Sequence, residues 1–241
     1  MHTLLDILFT ALVVAVGILW AKSAGDVPPM RTSAAPGARV TVTLVIFIAW
    51  ALLTGYAAES GFLADTSGPP RLFLFVIPAF ATAITLGLTS FGFYALENES
   101  ASVLVGVQVI RVVIEILLWQ LHGLGLVPVQ MTFEGRNFDV LIGAAAPVVA
   151  ALVAQERINP WGVIVWNAVG LLSLLNIVVV SALSVPGPMQ VFTAEPGNRI
   201  VLSVPWVWLP AIVVPSVLFI HVVSIRQSVL NLREPDLPMG P

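Results

Sequence analysis

Two ionisable residues stand one helical turn apart inside an apolar run, in Arg111-Val112-Val113-Ile114-Glu115. A guanidinium and a carboxylate at i and i+4 can pair on one helix face. Such a pair could bind a small ion or polar solute, and Glu115 could exchange a proton. Charges at membrane depth are costly and usually face a protein interior or a water-filled cavity, which makes them a functional hypothesis by default. Arg before Glu is the weaker order for a helical ion pair, so Arg111 is expected to find a second partner on another helix. Gln108, Glu115 and His122 recur at intervals of seven, which draws a polar stripe along the same face. A later apolar run carries Asn167, Ser173 and Asn176. Asn176 is the sixteenth residue of its run and Glu115 the fifteenth of its own, so the two are expected at similar depth. The same residues would also serve to glue helices together by interhelical hydrogen bonds.

Between these runs lies a loop dense in polar groups, with Glu134, Arg136, Asn137 and Asp139. They are expected to form an outer vestibule above a deeper site of Arg111, Glu115 and Asn176. His122 together with Glu115, Glu134 or Asp139 could make an outer metal or proton site, although an interfacial histidine is the commoner use of that position. A histidine pair is disfavoured, because His122 and His221 are expected at opposite ends of their spans, about 25 Å apart in a core of roughly 30 Å. No resident metal or cofactor is expected. There is no cysteine, which excludes disulfides, thiolate metal sites and cysteine nucleophiles. The one lysine, Lys22, lies at the end of the first run, which excludes a retinal-type Schiff base.

The elements that must position these groups are membrane helices. Of 241 residues, 58 % are hydrophobic and 10 % charged, where soluble domains are nearer half and a quarter. Mean hydropathy is +0.99. Seven apolar runs of roughly spanning length predict a polytopic all-α bundle with spans at 3–21, 39–58, 72–95, 101–122, 139–154, 161–183 and 204–225. The runs are continuous rather than alternating, which excludes a β-barrel. The fifth is short and implies a thin local span, little tilt or an extension into the preceding loop. Asp6, with no Lys or Arg among the first six residues, argues for a retained first span rather than a secretory signal. With the N-terminus outside, Lys22, Arg31, Arg39, Arg157, Arg226 and Arg233 fall inside, against Arg71, Arg136 and Arg199 outside. The positive-inside rule therefore favours N-out, C-in. The net charge of -3 comes with no basic patch, which leaves no nucleic-acid signal. The expected partners are the bilayer and a small solute or ion, and a homo-oligomer is compatible with the pattern.

Two of the outer loops are alike in sequence. Pro128-x-Gln130, Phe133, Glu134, Gly135 and Arg136-Asn137 are echoed by Pro188-x-Gln190, Phe192, Glu195, Gly197 and Asn198-Arg199. One reading is a scaffold of repeated outward hairpins, a device some transporters use to place a substrate site between repeats. The other is convergence of membrane hairpins on Gly, Pro, Asn and interfacial Arg. The stretch Gln130-Met131-Thr132-Phe133-Glu134-Gly135-Arg136-Asn137-Phe138-Asp139, with Trp166-Asn167-x-x-Gly170 and Asn176, resembles a group of uncharacterised bacterial multi-pass membrane proteins. That resemblance implies a bacterial inner membrane and brings no known activity with it.

Three functions compete. The leading one is a seven-helix membrane protein that binds or moves a small solute or ion. The second is an intramembrane enzyme, with Glu115, His122 and Asp139 in acid–base roles near the outer leaflet. The third is a structural subunit of a larger membrane complex.

Overall fold

The computed structural model describes residues 2–27, 34–65, 67–89, 92, 94, 96 and 99–233. The described residues form helices and loops, with no strand among them. Five helices are long and apolar enough to cross a membrane: α1 (His2–Gly25), α2 (Pro36–Glu59), α4 (Ala101–Gly123), α6 (Pro160–Ala182) and α7 (Leu209–Arg233). Two shorter apolar helices of 16 residues complete the set, α3 (Phe73–Leu88) and α5 (Asp139–Ala154).

Local sequence explains most boundaries. α2 and α6 each begin with proline, whose missing N–H has no partner to lose in a first turn. Asn159 caps α6 by accepting the Gly162 N–H at 3.0 Å. At the end of α1 the Arg39 guanidinium takes the carbonyls of Ala24, Gly25 and Val27 at 2.7–2.9 Å, groups a helix C-terminus leaves open. Arg226 does the same for α3, donating to the Leu88 and Thr89 carbonyls at 2.9 and 2.6 Å. In the α2–α3 connection Asp65 pairs with Arg71. Hydrogen bonds from Ser67 are the main reason its carboxyl is held below the usual carboxylate range.

A helix lies at 139–154, the bounds expected for the fifth run, and the helices at the fourth and sixth begin and end within a residue of expectation. The third helix closes at Leu88, and residues 90, 91, 93 and 95 of the expected span lie outside those described. Arg31, counted among the inner charges, lies outside them too. The seventh span differs most. Hydropathy placed it at 204–225, but the helix runs from Leu209 to Arg233. Pro205 and Pro210 cannot donate to a ladder, so Val204–Val207 turns instead, and the helix continues past the apolar run through Arg226, Gln227 and Asn231.

α7 is the central post: 61 % of its spanning window is buried, against 17 % for α2. It rests against α6, α3 and the first part of α4, while α5 rests on α4 and α6. α1 and α2 form a hairpin on one flank. It is fastened by Phe9 stacked on Trp206, with ring centroids 4.4 Å apart, and by Trp206 donating to Asp6 at 2.8 Å. α7 opens with a π-helical turn, Leu209–Val213. Pro215 leaves the Ala211 carbonyl without its helical donor. The indole N–H of Trp50 on α2 supplies one instead, at 3.0 Å.

The two similar loops do not share a local conformation. In the first, a 3₁₀ turn covers Val129–Met131, at the Gln of the pattern. In the second, the turn covers Ile200–Leu202, after the Asn-Arg pair. α5 begins at Asp139, three residues after Arg136, whereas α7 begins at Leu209, ten after Arg199. The likeness is one of composition at this level.

Candidate functional site

α4 carries Arg111 and Glu115 into the bundle, 2 % and 1 % exposed. A 3₁₀ turn at Val107–Val109 interrupts the helix just before them. They do not form an ion pair with each other. Arg111 reaches across to three other elements. Its Nη1 faces Asp139 Oδ1 at 3.4 Å, at the start of α5. Its Nη2 donates to the Gly170 carbonyl on α6 and to His221 Nε2 on α7, each at 3.1 Å. The second partner expected for Arg111 is thus a set of three, and one buried cation joins α4, α5, α6 and α7.

Gly170 permits that meeting. A β-carbon there would stand 2.5 Å from His221 Cε1, so any other residue would push the ring or the helix away. Beyond His221 the network continues towards the C-terminal half of α7. His221 Nδ1 contacts Asn167 Oδ1 at 2.7 Å, and Asn167 Nδ2 donates to the Val163 carbonyl and to Ser224 Oγ at 2.8 and 2.9 Å. Since both amide protons of Asn167 are used, its oxygen must accept, which places the ring proton on Nδ1 and leaves Nε2 to accept from Arg111. His221 is therefore an uncharged member of the network.

Glu115 turns to the loop instead. Asn137 donates its side-chain amide to Glu115 Oε1 and to the Met131 carbonyl, and its own oxygen accepts the Asp139 N–H at 3.1 Å. Ser173 on α6 donates to Asp139 Oδ1. This works because the loop before α5 folds inward: Val127, Gln130, Met131, Thr132 and Asn137 are all buried. Irregular backbone at membrane depth is tolerated when protein surrounds it. Gly135 makes the fold compact, since a β-carbon there would lie 2.3 Å from the Val129 carbonyl oxygen. The inward loop directly precedes the short α5, which begins at Asp139 and does not extend into it.

Several expected site residues are thereby redistributed. Asn137 and Asp139 belong to the deep site rather than to an outer vestibule. Asn176 does not meet Glu115; it is half-buried and donates to the Arg136 carbonyl at 2.7 Å, pinning the loop from outside. Glu134 is exposed and accepts from Trp119 Nε1 at 3.0 Å, and Arg136 lies over the Phe192 ring at 5.1 Å. His122 is half-buried and bonds the Val127 carbonyl through Nδ1 at 2.8 Å. It shares no hydrogen bond with Glu115, Glu134 or Asp139. Among the described residues no cluster of three or more His, Asp or Glu is placed to hold a metal. Asn167 is fully buried in the network, as the depth argument allows. Sequence reasoning named His221, Ser173 and Gly170 without giving them a place in the site, and did not single out Ser224. His221 was assigned to the end of its span, but the helix begins later and ends later than hydropathy implied, which moves it to mid-helix.

A cavity of about 80 Å³ adjoins the network. Phe73, Val76 and Phe80 of α3, Leu174, Ile177 and Val178 of α6, and Val213, Val214 and Val217 of α7 make its apolar walls. Arg111, Glu115, Asn137 and Asp139 form its polar end. Three buried side chains at or near the charged pair keep polar atoms without a partner among the described residues: Glu115 Oε2, Arg111 Nε, and both amide atoms of Gln108. Buried polar groups are nearly always satisfied, so an open carboxylate oxygen beside a cavity marks a place for a bound group.

A family model described as a domain of unknown function, DUF8737, matches residues 69–229. No curated protein and no solved structure matches the chain.

Proposed function

The chain belongs to the DUF8737 family, a domain of unknown function, and we propose that it is a seven-span protein of a bacterial inner membrane that binds a small solute or ion at the polar end of its internal cavity. Its N-terminus is outside and its C-terminus inside, from the distribution of Lys and Arg. One observation carries the reading: the Oε2 oxygen of Glu115, in a residue 1 % exposed, has no partner among the described residues, and Glu115 lines the cavity. A site meant only to hold helices together would be expected to close its hydrogen bonds. Asp139, Arg111 and Asn137 surround the same end and would orient a bound group. The enzyme reading is weaker, because His122, its acid–base histidine, does not line the cavity.

The absence of cysteine makes a direct test available. A single cysteine at Val178, on the cavity wall, should react with a hydrophilic thiol reagent in reconstituted vesicles. One at Leu172, 67 % exposed on the outer surface of α6, should be shielded by lipid. Equal inertness of both would mean a dry interior and would favour a structural subunit. Glu115→Gln should abolish activity in the native cell while the purified variant keeps its elution profile and melting temperature. A variant that does not fold would make Glu115 structural.

A further inference from the structure

We infer that the cavity selects a small alkylammonium cation, with its ammonium group on Glu115 and its short carbon chain against the apolar wall. This rests on the reading of the cavity as a solute site and names the class of solute.

The first argument is charge. Two buried carboxylates, Glu115 and Asp139, face one buried guanidinium, Arg111. The histidine of the network is uncharged, because its Nε2 accepts from Arg111 and its Nδ1 donates to Asn167. Arg111 pairs with Asp139 and not with Glu115, so the Glu115 carboxyl must hold either a proton or a cation. Its Oε1 is held by the Asn137 amide, and its Oε2 is open. A buried carboxyl that gives up its proton needs a counter-charge and donors in exchange. An ammonium group brings both, and an anion or a donorless solute does not.

The second argument is the wall. A bare metal cation demands a shell of about six oxygens. Beyond the polar end Ser181 and the Met131 thioether are the side chains in the lining that are not hydrocarbon, so the cavity cannot complete such a shell. An alkylammonium needs few acceptors and gains from apolar contact. Phe73 and Phe80 supply part of that apolar contact.

Size sets the limit. A cavity of 150 Å³ holds benzene. At about 80 Å³ this one accommodates a solute smaller than that, on the order of three or four heavy atoms, the size of ethylammonium or propylammonium.

The experiment follows the reaction rate of the Val178→Cys thiol in vesicles at constant ionic strength. Propylammonium should slow modification at least tenfold, while propanol, propionate, sodium and tetraethylammonium should leave it within twofold. In the Glu115→Gln background the propylammonium effect should vanish, and in Glu115→Asp it should persist in weaker form. The comparison of propylammonium with propanol needs no charge variant, so it holds even if Glu115→Gln misfolds. Equal protection by propanol, or protection by sodium alone, overturns the inference. Ready labelling with no protection by any amine overturns it while leaving a solute cavity in place. Failure of Val178→Cys to label at all removes the cavity reading and this inference with it.

Discussion

Arg111 could have satisfied its charge within its own helix and does not. An i,i+4 bridge to Glu115 would tie α4 to itself, whereas its actual contacts with Asp139, Gly170 and His221 tie four helices together. That arrangement depends on one missing methyl group. Gly170→Ala should place a carbon into the His221 ring, and overpacking of this kind costs about 1–3 kcal/mol. The expected result is a lower melting temperature in detergent, with a smaller loss when Gly170→Ala is made in a His221→Ala background, because the struck ring is gone. Strictly additive losses would show that the contact is not the cause. The charged pair itself was legible in the sequence, because charge in an apolar run is conspicuous. Its partners were not. His221, Ser173 and Gly170 are ordinary residues in membrane helices, and only the register between α4, α6 and α7 gives them a role. Asn176 misled for the same reason: equal depth does not fix which face a residue presents.

At the scale of elements, hydropathy found the helices but could not see a loop that folds inward. Loop 124–138 is polar in composition, which argued for an outer position, yet Thr132 is fully buried and Asn137 2 % exposed. Their polar atoms are satisfied by the loop itself and by Glu115, so burial of the segment is sustainable. Asn176 is the external fastener of this loop. Asn176→Ala should release the Arg136 carbonyl and raise amide hydrogen exchange across residues 130–137 severalfold, with α6 itself unchanged. Unaltered exchange in the loop would mean that the Asn137 contacts alone hold it. Trp50 plays the matching part for α7, where a proline frees a carbonyl that only another helix can reach. Trp50→Phe keeps the ring and removes the donor, and a hydrogen bond between membrane helices is worth about 0.6–2 kcal/mol. A correspondingly small fall in melting temperature is expected, and none at all would imply that the backbone relaxes to satisfy Ala211 internally.

For the whole molecule, the polar network and the cavity that adjoins it fall between residues 69 and 229, the stretch the family model covers. The α1–α2 hairpin lies before it and supplies no hydrogen bond to the network among the described residues; Trp20, Trp50, Trp206 and Trp208 fasten it to α7 and to the residues just before α7. The cationic residues predict that the start of α7 faces the outside. Two of them now have structural duties, since Arg39 closes α1 and Arg226 closes α3 at the same end of the bundle. In a chain without native thiols, Met189→Cys, in the loop before α7 and 41 % exposed, should react with a membrane-impermeant maleimide in intact spheroplasts. Asp26→Cys, exposed just past α1, should react only after the membrane is permeabilised. The opposite pattern would invert the protein and open the cavity to the cytoplasm. Labelling of both in intact cells would mean an even number of crossings between these sites, which the five helices α2–α6 do not allow if each one spans. That outcome would single out α3 or α5, whose 16 residues reach only about 24 Å, as the helix that fails to cross.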